Sequence, residues 1–309
     1  MSDAASRPEH DPYADGAAFI DGDYVPIGEA RIPILDWGFV RSDVTYDVVA
    51  VWHGRFFRLD AHLDRFERSI AKLHMRAPYD REQITEILSE CVRLAGLREA
   101  YVEMILTRGV PPQGSRDPRL CENRFYAFAI PYVWIAKPEQ QDRGLDMVVA
   151  SVPRIPPESV DPTVKNFHWG DLVQGLFEAY DRGGETVVLT DGSGNITEGP
   201  GFNLFCVKDG EVITPERGVL EGITRKTVIE LAQSLNAKVS VATLPEATLR
   251  AADEVFISST AGGVMPVTKL DGSPIGDGAP GPLTSRIRQL YWEAHDDPAY
   301  TFAIDYRHA

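Results

Sequence analysis

Pairs of strand-like segments joined by tight turns recur along this chain of 309 residues. Asp21-Gly22 separates two apolar segments near the start, and residues 202–207 and 211–214 flank a second turn at residues 208–210. An Asp-Gly pair between apolar segments is typical of a β-hairpin, since both turn residues adopt positive φ. Helix-like segments are fewer and do not alternate regularly with the strands. The pattern therefore predicts an α+β fold rather than a parallel sheet covered by helices on both faces.

Changes in composition along the chain predict two domains. Residues 1–16 are rich in Asp, Glu, Pro and Ala, and we expect a flexible N-terminal arm there. Residues 17–136 are predicted to form a small α+β domain, and the polar residues 137–144 a linker. The remaining residues, 145–309, are predicted to form a larger α+β domain.

Capping residues predict where the two helices of the first domain begin and end. Asp60 is a good N-cap for the first helix, because apolar residues at helical spacing follow it. The second helix begins after Asp80, with Gln83 as its capping-box partner, and ends at Gly96. Residues 108–124, with three prolines and four arginines, are predicted to be a long loop between two strands, which is usually a functional or a disordered element.

Charge and cysteine content exclude several classes of function. A net charge of −15 opposes binding to nucleic acid or to an anionic membrane. No apolar stretch approaches membrane-spanning length, and no basic region followed by an apolar stretch resembles an export signal. Cys91, Cys121 and Cys206 are far apart and have no histidine cluster nearby. We therefore expect a reduced, cytoplasmic protein without a metal site.

Lys165 has unusual neighbours for a lysine, because a β-branched residue and two aromatic residues lie within four positions of it. One interpretation is a side chain whose stem covers apolar surface while its ammonium group reaches water. The other is a partly desolvated amine with a lowered pKa, able to act as a nucleophile or to form a Schiff base with a carbonyl cofactor. Lys165 alone leaves both interpretations open.

Two segments have the composition of an anion-binding site. Gly222, Ile223 and Thr224 precede a helix-like segment, so that backbone N–H groups and the helix dipole would point at one spot. A plain threonine N-cap after a glycine turn is the alternative. Residues 258–263, rich in Ser, Thr and Gly, follow a strand and would form either an anion-binding turn or a simple strand-to-loop turn.

Two charged residues complete the set. Glu198 lies between an apolar strand end and a Gly-Pro-Gly turn; such an acid is either solvated or buried with a cationic partner. Arg65 borders the apolar stripe of the first helix, where it would cover apolar surface or bind a phosphate with two hydrogen bonds. An amine, a phosphate site and an acid for a ring nitrogen are what pyridoxal phosphate requires.

The order and spacing of five segments carry a family resemblance. These are residues 57–65, the segment around Lys165, and residues 198–204, 220–225 and 260–263. With them, the chain resembles the fold-type IV pyridoxal-phosphate aminotransferases from about Ala17 to Tyr291. This class includes branched-chain aminotransferases, D-alanine aminotransferases and (R)-selective amine transaminases.

The resemblance implies a role for each of these residues. Lys165 would hold pyridoxal 5′-phosphate as a Schiff base and later move the substrate proton, and Glu198 would pair with the pyridine nitrogen. Leu220 would pack against the ring. The implied cofactor-binding residues are Arg65, Lys165, Glu198, Leu220, Ile223, Thr224, Ser259 and Thr260. A homodimer with its active site at the subunit interface is also implied.

The subgroup is predicted from Tyr101-Val102-Glu103, which resembles the triplet of (R)-selective amine transaminases. The alternative for Glu103 is a surface-facing strand residue without influence on specificity. The resemblance implies a ping-pong transfer from a primary (R)-amine to a keto acid such as pyruvate. A branched-chain or D-amino-acid aminotransferase is the alternative, and a 4-amino-4-deoxychorismate lyase a more distant one. The predicted substrate-binding residues are Arg41, Tyr46, Val48, Tyr101, Glu103, Arg116, Trp169, Thr260 and Ala261.

Overall fold

A computed structural model describes residues 11–307, which form two compact units. The first unit ends at Val133 and is joined again by the residues from Thr301 onward, and the second is Trp134–Tyr300. Most of the predicted N-terminal arm lies outside the described residues. Near its end, Tyr13 packs against the core of the first unit, and its hydroxyl donates to the carbonyl oxygen of Tyr24 (3.3 Å).

Sixteen strands and eight α-helices are found in the described part of the chain. In chain order they are β1 Ala17–Ile20, β2 Asp23–Pro26, α1 Trp37–Arg41, β3 Val44–Trp52, β4 Arg55–Phe57, α2 Leu59–Lys72, α3 Arg81–Ala95, β5 Ala100–Val110, β6 Glu122–Pro131, α4 Pro138–Arg143, β7 Leu145–Pro153, α5 Gly170–Asp181, β8 Thr186–Thr190, β9 Glu198–Gly199, β10 Phe202–Lys208, β11 Glu211–Pro215, α6 Ile223–Ser234, β12 Lys238–Ala242, α7 Glu246–Arg250, β13 Glu254–Ser259, β14 Gly263–Leu270, β15 Ser273–Pro274, α8 Pro282–Glu293 and β16 Thr301–Ala303.

The first unit is built on a seven-stranded sheet in the order β16-β4-β3-β5-β6-β1-β2, with every neighbouring pair antiparallel. The predicted hairpin β1–β2 is confirmed, and its turn residues Asp21 and Gly22 have φ of 51° and 93°. Helices α2 and α3 pack against β3 and β6. Their apolar stripes, with Phe66 and Leu88 fully buried, form one core with the facing side chains of the sheet.

The two helices of this unit begin differently. The predicted capping box of α3 is confirmed between Asp80 and Gln83, and Gly96 ends the helix with φ 59°. The predicted N-cap of α2 is wrong: Arg58 occupies that position with φ 52° and no side-chain cap, and Asp60 lies in the first turn. Because β4 ends only one residue earlier, Arg58 itself makes the turn into the helix, and Asp60 interacts with the helix dipole instead.

The second unit is built on a nine-stranded mixed sheet. Its main path runs β12-β11-β10-β13-β14-β7-β8, with β15 beside β14 and β9 beside β10. Three pairs are parallel, β11–β12, β7–β14 and β7–β8, and the others are antiparallel. The predicted hairpin of β10 and β11 is confirmed. Helices α5, α6 and α8 pack on this sheet and cover strands that are buried along most of their length.

The unit boundary differs from the predicted one. It lies between Val133 and Trp134 rather than at residue 136, and α4 occupies most of the stretch predicted as a linker. The last described residues belong to the first unit rather than the second, because β16 pairs with β4. Within residues 11–307, none of the helices combines the length and apolar character needed to cross a lipid bilayer.

Candidate active site

Lys165 lies in the irregular segment between β7 and α5 and is half-buried. The Asn166 side chain holds the backbone before and after Lys165. Its Nδ2 donates to the carbonyl oxygen of Val164 (2.8 Å), and its Oδ1 accepts from the backbone N–H of His168 (2.9 Å). Val164 is itself buried. The backbone that carries the Lys165 amine is therefore fixed by local hydrogen bonds and by packing.

Glu198, in the short strand β9, is buried and has a cationic partner. Its Oε1 accepts from Nη2 and Nε of Arg154 (3.1 and 3.2 Å), and its Oε2 accepts from the backbone N–H of Leu220 (2.8 Å). Burial raises the pKa of Glu198, which the charge of Arg154, the Leu220 hydrogen bond and the charge of Lys165 oppose. The structure thus brings the predicted pair Lys165 and Glu198 into one electrostatic environment, and the solvated alternative for Glu198 is wrong.

Arg154 was not singled out in the sequence. Its guanidinium donates from Nη1 to Oδ2 of Asp171 (2.7 Å) as well as to Glu198, so that one cation lies between two carboxylates. Burial alone would lower the pKa of Arg154, but Glu198 and Asp171 raise it. The guanidinium therefore stays charged.

The turn before α6 is held against β10. Asn203 donates from Nδ2 to the carbonyl oxygen of Leu220 (2.8 Å). A Cβ on Gly222 would lie 2.1 Å from Oδ1 of the same asparagine, so any other residue would displace that side chain. Leu220 is thereby fixed from both sides, through its N–H by Glu198 and through its carbonyl by Asn203.

The N-terminus of α6 has the donors that a phosphate needs. Gly222 is the N-cap and provides no side-chain cap, so the alternative of a plain threonine N-cap is wrong. The first N–H groups of a helix have no intrahelical acceptor. Ile223 and Thr224 in this first turn are buried. Nearby, the Oγ of Ser258, which is only 2% exposed, has no hydrogen-bond partner, and Ser258 is the cross-strand partner of Asn203. These groups fit a bound phosphate.

Residues 260–262 form the turn between β13 and β14, with Ser259 and Gly263 at the strand ends. The Ser259 hydroxyl donates to the carbonyl oxygen of Gly201 (2.8 Å) and accepts from the backbone N–H of Ala261 (3.2 Å). The carbonyl oxygen of Ala261 in turn accepts from the N–H of Ile135 (2.9 Å). Ser259 and Ala261 are therefore hydrogen-bonded within a fixed turn that also contains the half-buried Thr260.

In the first unit, the predicted phosphate-binding residue Arg65 forms a buried ionic cluster with Asp47 and His62. Nε of Arg65 lies 2.7 Å from Oδ2 of Asp47, and its Nη2 lies 2.8 Å from Oδ1. The ring Nδ1 of His62 is 2.8 Å from the same Oδ1. Burial would raise the pKa of Asp47, but the charge and hydrogen bonds of Arg65 and the hydrogen bond of His62 lower it well below 3.8. Asp47 is therefore ionised, and this anion holds the guanidinium of Arg65.

A second group lies on the opposite face of β3 and β5, since alternate residues of a strand point to opposite faces. Val48 and Glu103 are cross-strand partners, with Tyr46 and Tyr101 two positions away on the same face. The hydroxyl of Tyr101 donates to Oε2 of Glu103 (3.1 Å). Glu103 is only 8% exposed, so the alternative of a surface-facing residue is wrong.

The two predicted arginines for the substrate are exposed. The Cζ of Arg41 lies 3.6 Å above the ring of Trp37, and Arg116 lies in the connection between β5 and β6. That connection is shorter than predicted, because both strands extend into it. The predicted residues of the first unit are Arg41, Tyr46, Val48, Arg65, Tyr101, Glu103 and Arg116; those of the second are Lys165, Trp169, Glu198, Leu220, Ile223, Thr224, Ser259, Thr260 and Ala261.

Sequence and structure comparisons agree on the family. Residues 45–270 match the family described as amino-transferase class IV. A putative branched-chain-amino-acid aminotransferase from Methanocaldococcus jannaschii is 31% identical over 276 residues, which cover 88% of this chain and 94% of the relative. A D-alanine aminotransferase from Listeria monocytogenes is 30% identical over 270 residues, covering 86% of this chain and 91% of the relative.

Solved structures have the same fold. A branched-chain amino acid aminotransferase crystallised with pyridoxamine 5′-phosphate superposes with a TM-score of 0.88 at 28% identity, covering 94% of this chain and 99% of that one. The branched-chain amino acid aminotransferase from Escherichia coli gives a TM-score of 0.84 at 26% identity and the same coverage. The predicted α+β fold is confirmed, and it is built on two sheets. The chain belongs to the class IV aminotransferases, the fold-type IV enzymes whose cofactor is pyridoxal 5′-phosphate.

Proposed function

We propose that this aminotransferase moves the amino group of a primary (R)-amine to a keto acid such as pyruvate. The observation that carries the proposal is the buried Glu103, hydrogen-bonded to Tyr101 on an otherwise largely apolar sheet face. A carboxylate on this face repels the α-carboxylate of an amino acid, since like charges oppose each other across an interface. An amine without a carboxylate avoids this repulsion.

The residues of the second unit have the chemistry for the proton transfer. When bound, the cofactor's pyridinium ring accepts the electron pair that the substrate's C–H bond releases. We assign to Lys165 Nζ the removal of that proton and its return during the second half-reaction. The Glu198 carboxylate would hold a proton at the ring nitrogen of the bound cofactor, and Leu220 would pack against the ring.

The remaining roles are binding roles. We assign the phosphate to Arg65, Thr260 and the backbone N–H groups of Ile223 and Thr224. Ser259 fixes the turn that carries Thr260 and Ala261. The apolar walls for the amine are Tyr46, Val48, Tyr101 and Trp169. Arg116 is assigned to the carboxylate of the keto acid, and Arg41 to the substrate-binding residues. The reaction is ping-pong, with a ketone released before the keto acid takes up the nitrogen.

A homodimer is part of the proposal. Five large apolar side chains within ten residues of the first unit are at least 45% exposed, and apolar patches of this kind are typical of interfaces. They are Ile32, Ile34, Leu35, Phe39 and Val40. A second copy of the chain would cover them. The cytoplasmic location remains a prediction.

An amino-acid substrate is the second candidate, because the names of relatives at 31% and 30% identity support it. The visible spectrum of the cofactor-loaded protein tests both. (R)- and (S)-1-phenylethylamine, D-alanine and L-leucine are added separately. Only the (R)-amine should bleach the long-wavelength absorption band of the bound cofactor. Bleaching by L-leucine would indicate a branched-chain enzyme, and bleaching by D-alanine a D-amino-acid enzyme. A lyase would release pyruvate rather than consume it.

Replacing Glu103 with glutamine should relax the discrimination against amino acids. Removing the repulsion is expected to raise kcat/KM for an α-amino acid by at least about 10-fold, with little change for the (R)-amine. Steady-state kinetics with both substrates would measure the ratio. Glu122→Gln, at an exposed position of β6, is the control. An unchanged ratio would mean that Glu103 does not set the substrate class.

A further inference from the structure

Arg154 hydrogen-bonds to Glu198, to which the proposed function gives a catalytic role, and to Asp171, which adjoins the segment that carries Lys165. It is the residue after β7 and is only 9% exposed. One edge of its guanidinium, Nε with Nη2, donates to Glu198, and Nη1 donates to Asp171. Its backbone N–H donates to the carbonyl oxygen of Thr190 at the end of β8 (2.8 Å). The backbone of Arg154 is therefore anchored to the sheet, and its guanidinium is hydrogen-bonded to a carboxylate on each side.

The contact with Asp171 joins the two ends of the segment that carries Lys165. Arg154 and Asp171 flank residues 155–170 in the chain. Oδ2 of Asp171 accepts both from Arg154 and from the backbone N–H of Ile155 (2.7 Å each). Oδ1 accepts from the N–H of Leu172 in the first turn of α5 (2.8 Å). Three donors thus hold one carboxylate where the segment leaves the sheet and returns to a helix.

The contact with Glu198 favours the ionised form of that carboxylate. Burial raises the pKa of Glu198, and the charge of Arg154 is the largest effect that opposes it. Lys165 also lowers this pKa. Two other charged groups belong to this environment. Asp171 is bound to Arg154, and the charge of Glu198 also acts on Arg225 of α6. Without Arg154, a buried Glu198 would gain a proton at higher pH and could no longer hold a cationic ring nitrogen.

We propose that Arg154 is a positioning residue of this aminotransferase: it keeps Glu198 ionised and oriented, and it joins the ends of the segment that presents Lys165. The proposal rests on the roles proposed above for Lys165 and Glu198, but not on the substrate class. Binding of the cofactor and stability of the cofactor-free protein report on it whichever amine the enzyme accepts. A failure of the (R)-amine proposal is therefore distinguishable from a failure of this one.

Stability against pH separates the charge effect from general damage. In Arg154→Gln, the pKa of Glu198 should rise further above its ordinary value of 4.5. A folded-state pKa above the unfolded one means that stability is lost as pH rises between the two values. Chemical denaturation of the cofactor-free protein should therefore show a larger loss at pH 8 than at pH 5. In Arg154→Gln/Glu198→Gln, which lacks the titrating carboxyl, the loss of stability should depend less on pH than in Arg154→Gln alone.

Cofactor affinity separates the two contacts of Arg154. Arg154→Gln should weaken binding of pyridoxal 5′-phosphate by at least about 10-fold, the effect of losing one charge-assisted hydrogen bond. Asp171→Asn keeps Arg154 as the partner of Glu198, so the extra loss of stability at pH 8 should be absent. It should still slow the reaction of Lys165 with the added cofactor, because the carboxylate that joins the ends of the Lys165 segment is removed. Arg108→Gln is the matched control, because Arg108 is also 9% exposed and paired with an aspartate, but in the first unit.

A cleft beside Arg154 allows a rescue experiment. Arg154 lines a cleft of about 310 Å³ together with residues such as Pro156, Thr197 and Gly218. Removing the side chain in Arg154→Gly should open this cleft towards Glu198, and added methylguanidinium should restore cofactor affinity. An equal concentration of sodium ion should not. Unchanged affinity and an unchanged pH dependence in Arg154→Gln, or no rescue of a folded Arg154→Gly, would overturn the proposal.

Discussion

Replacing Lys165 with alanine is expected to lower kcat/KM for transamination by about 10⁴-fold, near the upper limit of what one general base contributes. The amine is proposed both to hold the cofactor and to move the substrate proton, so both functions are lost together. The fold should persist, because the backbone hydrogen bonds of Asn166 and the burial of Val164 do not depend on the lysine side chain. Single-turnover kinetics and the visible spectrum of the loaded protein measure the effect.

The control for this variant is Lys238→Ala in β12, whose amine is largely exposed and pairs with Glu211 (2.8 Å). Its activity should be that of the unmodified protein. If Lys165→Ala kept substantial activity, or still bound the cofactor with its original long-wavelength band, the amine of Lys165 would not be the reacting group.

Replacing Asp47 with asparagine should lower the free energy of unfolding by about 3–5 kcal/mol, the usual effect of removing one partner from a buried ion pair. The substitution leaves the size of the side chain nearly unchanged but removes its charge. The guanidinium of Arg65, only 3% exposed, would then have lost its bidentate carboxylate partner. Since Arg65 is proposed to bind the phosphate, affinity for the cofactor should fall as well. Urea denaturation and cofactor titration measure the two effects.

Acid pH provides an internal check on the Asp47 variant. The pKa of this carboxyl is lowered in the folded protein, so its contribution is present above 3.8 and is lost as pH falls through the folded-state value. The difference in the free energy of unfolding between the unmodified protein and Asp47→Asn should therefore shrink as pH falls below 3.8. Asp64→Asn, on the same helix as Arg65 but in a partly exposed pair with Arg81, should cost less than about 1 kcal/mol. Equal losses for both variants would contradict the assignment.

Local patterns predicted the elements that depend on local chemistry. The Asp21-Gly22 hairpin and the Asp80–Gln83 capping box are decided by residues within a few positions of each other, and both are present. The pairing of β16 with β4 is not local, because the whole second unit lies between the two strands in the chain. The start of α2 was misplaced since the turn at Arg58 is imposed by the adjoining strand rather than by a capping side chain.

The site divides in the same way. Lys165, Glu198, Arg65 and the turn before α6 could be found from residue types that are unusual in their surroundings. Leu220 required the family resemblance, because a leucine between a valine and a glutamate carries no such signal. Asp47 and Arg154 were missed, although an acid inside the apolar strand β3 was a signal for the first. Arg154 is followed by Ile155-Pro156-Pro157 and resembled an ordinary loop residue; only the contacts with Asp171 and Glu198 distinguish it.

Strand β16 also has a consequence for how the protein is made. During synthesis the strands β1 to β6 leave the ribosome first, but the edge of β4 stays uncovered until all of the second unit has been translated. An open edge strand with apolar neighbours is a place where two nascent chains can pair wrongly. The first unit therefore begins to fold early and is completed last, after the whole inserted second unit has emerged.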